Sequence, residues 1–197
     1  MGALDTEAKN PAIPTTTYAP GSETMLGIKE LKWFDAELNH NIQYTYELCE
    51  RIVKEGIDLT WSADVRADIL PNELLEKMRK AGCHTLLVGV ETGNPEIMKN
   101  IPKGLSKGQV KDTVRRIKRA GIRVITHFLL GLPGETQETM METLKFALEL
   151  NPDATTFGIV TPHPGTSFYY YLEENGLFNP KAKDYSLFDT CSAPVYD

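Results

Sequence analysis

Residues 125–150 read ITHFLLGLPGETQETMMETLKFALEL, which predicts a buried strand, a tight Gly-Pro-Gly turn and an amphipathic helix. Val124, Ile125, Phe128, Leu129 and Leu130 make a nearly continuous apolar run, the pattern of a parallel strand covered on both faces. Gly131, Pro133 and Gly134 then reverse the backbone sharply. Glu135, Thr136 and Glu138 offer negative and capping groups to the first helical turn. Met140, Leu144 and Ala147 are the expected buried face of the helix. Ligands of open and barrel α/β folds sit at the carboxyl ends of parallel strands, so a small molecule is expected at this turn.

Outward from this unit the same grammar repeats. A helix ends in a basic residue and Gly, and an apolar strand begins at once, in KEGIDLTWSADV, RKAGCHTLLVGVE and KRAGIRVITHFLL. Gly56, Gly82 and Gly121 fit the left-handed position that closes a helix, and ELNPDATTFGIV places Asn151 there instead. Asn72, Asn94 and Ser106 are expected N-caps, Pro95 suits a first turn, and Ser106 with Gln109 has the capping-box spacing. The helix from about Asn41 to Lys54 is expected to bury Tyr44, Leu48 and Ile52. About five parallel strands follow, near 31–35, 58–64, 85–91, 123–130 and 154–160, with a last helix from Thr166 to Asn175. This is an α/β chain of about five βα units, an open parallel sheet or part of a (βα)n barrel. Residues 1–28 read as an irregular leader, 29–178 as the folded domain and 179–197 as an irregular tail.

Composition narrows the class. At 197 residues, with 41% hydrophobic and 24% charged residues, the chain has room for one globular domain. A net charge of −6 argues against a nucleic-acid partner. Lys107, Lys111, Arg115, Arg116, Lys118, Arg119 and Arg123 gather about one predicted helix and read as its solvated face. No apolar run approaches the roughly 18 residues of a membrane span, and no secretory signal is visible, so a cytoplasmic location is expected. Cys49, Cys83 and Cys191 lie far apart and lack the spacing of a zinc or iron–sulfur loop. Cys49 and Cys83 are expected as small core residues. His40, His84, His127 and His163 show no metal-ligand spacing either.

Polar residues collect where strands are expected to end. Asp35 closes the first strand, Asp64 and Arg66 the second and Glu91 the third, and Thr161 with His163 closes the fifth. Glu91 could take an ammonium and Arg66 a carboxylate, as an amino-acid-like ligand requires. Equally, Arg66 and Glu91 could pair with each other or with Asp64. His127, among apolar residues, suits a core or rim position, and Glu135 a favourable charge at a helix start. GVETG, GLPGET and TPHPGT are three turns after three consecutive strands, each expected to leave amides open to a nucleoside. GLPGE is no phosphate loop, because the Lys-Ser/Thr ending is missing.

Taken together, WSADVR, MRKAGCHTLLVGVETGNPEIM, GIRVITHFLLGLPGETQETMMETLKFA and TPHPGTSFYYYLEENG resemble the radical SAM superfamily. They are most similar to the branch whose members often carry a cobalamin-binding domain. The resemblance runs from about Leu31 to Phe178 and implies strands two to six of a partial (βα)6 TIM-type barrel. It implies S-adenosylmethionine across the strand ends beside a [4Fe–4S] cluster, with reductive cleavage to a 5′-deoxyadenosyl radical. Arg66 and Glu91 would then hold the methionine or ribose end of the cofactor. Gly131, Leu132 and Pro133 would shape the nearby wall, and Thr161, Pro162, His163, Pro164 and Gly165 would lie by the adenine. WFDAELN resembles the family's second-strand segment, with Asp35 kept and Ala36 in place of a second acid.

One family feature has no counterpart here. The superfamily binds its cluster through a CxxxCxxC loop, and this sequence has none. The chain is therefore expected to be inactive alone, as a truncated chain, half of a split enzyme, or a degenerate paralogue that binds a nucleotide or partner. A second chain or preceding segment would supply the first βα unit, and a bare sheet edge could self-associate. A barrel-type lyase or hydrolase using Glu91, Asp64 or His127 stays open as a third reading.

Overall fold

The computed structural model describes residues 28–34 and 37–178; the leader before residue 28, the tail from 179 and Asp35 lie outside them. Five strands form one sheet: β1 (Glu30–Trp33), β2 (Thr60–Val65), β3 (Cys83–Glu91), β4 (Arg123–Leu130) and β5 (Ala154–Ile159). All neighbours are parallel and the spatial order is the chain order, β1-β2-β3-β4-β5. Crossovers of one hand that always step the same way keep the helices on one face. The result is a half-barrel of the TIM type, which decides between the two sheet architectures.

The helices are α1 (Ile42–Lys54), α2 (Asn72–Lys80), α3 (Pro95–Asn100), α4 (Lys107–Arg119), α5 (Gln137–Leu150) and α6 (Ser167–Glu174). Their ends follow the expected chemistry. Gly56, Gly82 and Gly121 have φ of 65°, 90° and 73°, and Asn151 takes the left-handed cap of α5 at φ 46°. Ser106 and Gln109 close a reciprocal capping box on α4, and Asn94 caps α3. Asn72 departs from expectation. Pro71 holds the cap position in extended conformation, and Asn72 is the first helical residue. Arg123, grouped by sequence with the basic helix, is the first residue of β4.

Trp61, Ala63, Val65, Cys83, Leu86, Val88, Val90, Val124 and Phe128 point from the sheet into the helix layer and are buried. They meet Leu74, Leu75, Met78, Val110, Val114, Ile117 and Phe146. Each large side chain so buried stabilises the fold by about 1.5–3 kcal/mol. No helix of the described residues covers the opposite, concave face. Ile125, His127 and Leu129 of β4 are therefore only half-buried, which corrects the expectation of a strand covered on both faces.

Two helices are rotated from the expected phase. α1 buries Thr45, Cys49 and Ile52, leaving Tyr44 exposed and Leu48 half-buried. Thr45 turns inward because its hydroxyl donates to the Leu38 and Asn41 carbonyls at 2.8 and 3.0 Å. α5 buries Thr143, Phe146, Ala147 and Leu150, while Leu144 is exposed and Met140 half-buried.

Gly82 and Gly121 separate two costs of a left-handed cap. A Cβ on Gly82 would stand 2.1 Å from the Leu59 carbonyl oxygen, whereas one on Gly121 meets only the Arg79 side chain at 3.7 Å. Gly121→Ala is expected to cost about 1 kcal/mol, from backbone strain alone. Gly82→Ala should cost more than about 2 kcal/mol, because backbone must also move. Urea denaturation of the two variants checks the order.

Candidate functional site

The carboxyl ends of the strands carry a chain of alternating charges. It starts after β2, where the buried Asn39 fixes the backbone: its amide donates to the Arg66 and Ile69 carbonyls at 3.0 and 2.8 Å. Its carbonyl accepts from the Arg66 amide at 2.8 Å. The Arg66 guanidinium then forks onto Asp68, with Nε and Nη2 each 2.9 Å from a carboxylate oxygen. That pairing holds the Asp68 carboxyl below its ordinary range. Arg66 Nη1 also lies 3.6 Å from Glu37, and Glu37 lies 3.7 Å from Lys103. Lys103 completes the chain at 2.9 Å from Glu91.

Glu91 is placed by an irregularity. The β3–β4 register shifts between Gly89 and Glu91, and Glu91 itself is left-handed at φ 68°. Its carboxylate folds back over Gly89, where a Cβ would stand 2.6 Å from Glu91 Oε1 and 3.0 Å from Lys103 Nζ. Gly89 is thus the space in which the ion pair sits. Arg66 and Glu91 do come to one locus, joined through Glu37 and Lys103 rather than directly. Asp64 is not their partner; it pairs with Lys32 at 2.9 Å. Glu37, Asp68 and Lys103 escaped the sequence reading, and only their place just beyond strand or helix ends could have marked them.

The three turns differ from expectation in one respect: the amides described there are largely spoken for. After β3, the Gly93 amide donates to Thr143 Oγ1 at 2.9 Å and the Asn94 amide to Thr92 Oγ1 at 3.1 Å. After β4, Gly131 and Leu132 amides donate to Glu135 Oε2 at 2.5 and 3.3 Å, beside the exposed Pro133. After β5, the His163 amide donates to the Thr161 carbonyl at 3.0 Å, Pro162 is buried, and His163, Pro164 and Gly165 are exposed. Glu135 is therefore more than a charge at a helix start, because it ties the GLPGE turn shut. Thr136 provides the cap of α5. His127, on the concave face, bonds through Nδ1 to Thr156 Oγ1 at 2.8 Å.

An iron–sulfur cluster does not fit the described residues. Cys49 and Cys83 are buried in the helix-side core, and burial pushes their thiols up to about 11 and about 12. Among the described residues no three His, Cys, Asp or Glu side chains gather as metal ligands. Cys191 lies outside them.

A sequentially ordered parallel half-barrel with charged groups gathered at its strand ends defines an α/β domain of the partial TIM-barrel class. The comparisons narrow this. Residues 22–147 match the family model of the radical SAM superfamily, and the chain belongs to that superfamily. It is 35% identical over 151 residues to an uncharacterised methyltransferase of Pyrococcus horikoshii, covering 77% of this chain and 33% of that protein. It is 33% identical to the anaerobic magnesium-protoporphyrin IX monomethyl ester cyclase of Rubrivivax gelatinosus, covering 64% of this chain and 23% of the cyclase. The chain thus spans about a third or less of these relatives' length. The radical S-adenosylmethionine methyltransferase TsrM of Kitasatospora setae, solved with cobalamin and a [4Fe–4S] cluster, superposes with a TM-score of 0.70 at 24% identity. That match covers 78% of this chain and 30% of TsrM, and it supports the fold. No helix among the described residues is long and apolar enough to cross a membrane.

Glu135 provides a pH test of the turn. Its Oε1 is buried without a hydrogen-bond partner, and burial raises its carboxyl above the ordinary range despite the two amides. A raised folded-state value means the stabilising contribution is present at acid pH and is lost as pH rises through that value. Glu135→Gln should therefore match or exceed the native stability at pH 8, by up to about 1 kcal/mol, with the advantage vanishing toward pH 4. Chemical denaturation at several pH values reads the trend.

Proposed function

We propose that this half-barrel is the S-adenosylmethionine-binding part of a radical SAM enzyme of the cobalamin-associated branch. The observation that carries this reading is the Arg66–Glu37–Lys103–Glu91 chain at the strand ends. A zwitterionic amino-acid end needs a carboxylate for its ammonium and a cation for its carboxylate, and Glu91 with Lys103 and Arg66 supplies both. Gly131, Leu132 and Pro133 would form the adjoining wall, and Thr161 to Gly165 the surface beside the base. When bound beside a reduced cluster, S-adenosylmethionine supplies radical initiation; this chain's residues bind and orient it. Cobalamin enters the reading only through the longer relatives.

Because the cluster does not fit the described side chains, its ligands would come from elsewhere, and the chain alone would not cleave S-adenosylmethionine reductively. The same misfit favours a second reading, a nucleotide-binding module without radical chemistry. Both readings keep the strand-end site.

Two measurements test the site and the cluster misfit that these readings share. Calorimetric titration with S-adenosylhomocysteine should show saturable binding, weakened at least about tenfold by Glu91→Gln. Absence of binding, or an unchanged affinity in the variant, overturns the site. Anaerobic treatment with iron and sulfide followed by desalting should leave no cluster on the chain. About four irons per chain would overturn the cluster reading and make the chain an enzyme on its own.

A further inference from the structure

The residues just after Glu91 are fastened to a helix 50 residues further along the chain. Thr92, Gly93 and Asn94 join β3 to α3, yet their polar groups run into α5. The Gly93 amide donates to Thr143 Oγ1 at 2.9 Å, and Thr92 Oγ1 lies 3.1 Å from the same oxygen. The Asn94 amide donates to Thr92 Oγ1 at 3.1 Å, and its side-chain amide to Glu142 at 2.7 Å. Thr143 Oγ1 donates to the Thr139 carbonyl of its own helix at 3.1 Å. Thr92, Gly93 and Thr143 are buried, so no water shares in these bonds. Gly93 permits the approach, because a Cβ there would stand 2.7 Å from the Thr143 Cα.

Counting donors fixes the direction of every bond. A hydroxyl has one proton and two acceptor sites. Thr143 gives its proton to the Thr139 carbonyl, so its two acceptor sites take the Gly93 N–H and the Thr92 O–H. Thr92 then accepts the Asn94 N–H, and each group is satisfied. A valine in place of Thr143 has the same shape but leaves two buried donors without a partner. The fastened segment begins beside Glu91, which is held left-handed at φ 68° with its carboxylate turned back to Lys103. Released, that backbone would relax and carry the carboxylate off the Gly89 site. The device recurs at the other end of the charge chain. Thr113 of α4, also buried, donates to the carbonyl of Ala67, the residue after Arg66, at 2.8 Å.

We propose that Thr143 is a positioning residue for Glu91: through Gly93 and Thr92 its hydroxyl holds the strained end of β3 in the conformation that aims the carboxylate. Thr143 itself touches no ligand, and its effect passes through Glu91. The inference rests on the reading that Glu91 receives the ammonium of an amino-acid end, and adds to it the group that holds Glu91 ready.

The test is a double-mutant cycle on the whole chain, read as S-adenosylhomocysteine affinity by calorimetry. Thr143→Val should weaken binding about fivefold, and Thr143→Ser, which keeps the hydroxyl, less than about twofold. Thr92→Val cuts the same chain one link nearer Glu91 and should act in the same direction. In a Glu91→Gln background, Thr143→Val should cost less than about twofold, because the carboxylate it positions is gone. A loss of the same size in both backgrounds would mean that Thr143 only fastens α5, and overturns the inference, as does an unchanged affinity in Thr143→Val. Hydrogen exchange of the native chain gives a readout independent of variant folding. The Gly93 amide, although in a turn, should be protected like the Val88 amide of β3. Rapid exchange at Gly93 overturns the inference. If the native chain does not bind S-adenosylhomocysteine at all, the underlying reading fails, and this one with it.

Discussion

The structure depends on one constraint: the parallel strands follow one another in space in the order of the chain, so every helix must pack on the same side of the sheet. Each strand then has a dry face and a wet one. The dry face demands bulk and apolarity, met by Trp61, Leu86, Val88, Val124 and Phe128. The wet face is free to carry polar groups, and it does so in the Lys32–Asp64 pair, in Glu91 and in His127. The helix-side core fixes the strand ends, and those rigid ends hold the polar groups in place.

The end of β3 shows how this rigidity is used. A non-glycine residue in the left-handed region costs on the order of 1–2 kcal/mol, and Glu91 carries that strain. The register shift beside it aims the carboxylate back over Gly89, where Lys103 meets it. Lys103, Glu37, Arg66 and Asp68 are each only partly open to solvent, so removing one member would leave a neighbour shielded and unpaired. The strain at Glu91 and the ion pairs thus sustain each other. An arrangement of this kind holds its charges in position before any ligand arrives.

How much of this was legible in the sequence depends on the range of the forces involved. Helix ends are local, and Gly56, Gly82, Gly121, Asn151 and the Ser106–Gln109 box could be read directly from residue type and spacing. Strand-end position was legible too, which brought Arg66 and Glu91 forward. Their partners were not, because Glu37 and Lys103 reach them from loops whose proximity only the folded sheet creates. The helix phases of α1 and α5 were misjudged for a different reason. Thr45 and Thr143 count as polar in a periodicity argument, yet both turn inward because backbone carbonyls and the Thr92–Gly93 loop satisfy their hydroxyls. The three turns were placed correctly, but their amides were expected to be free. Glu135 and Thr143 occupy several of them, a pairing that only tertiary packing makes visible.

The cysteines lie apart from the polar groups of the open face. Cys49 and Cys83 belong to the dry layer, in contact with the residues that make the sheet rigid. To ligate iron they would have to ionise and leave that layer, against a desolvation that already holds both thiols protonated at neutral pH. The groups that could meet a cofactor's polar ends all stand on the wet side or at the strand ends. The half-barrel therefore keeps its apolar layer on one side and its polar groups on the other. A redox centre serving this face has to be brought to it by ligands that the helix-side core does not own.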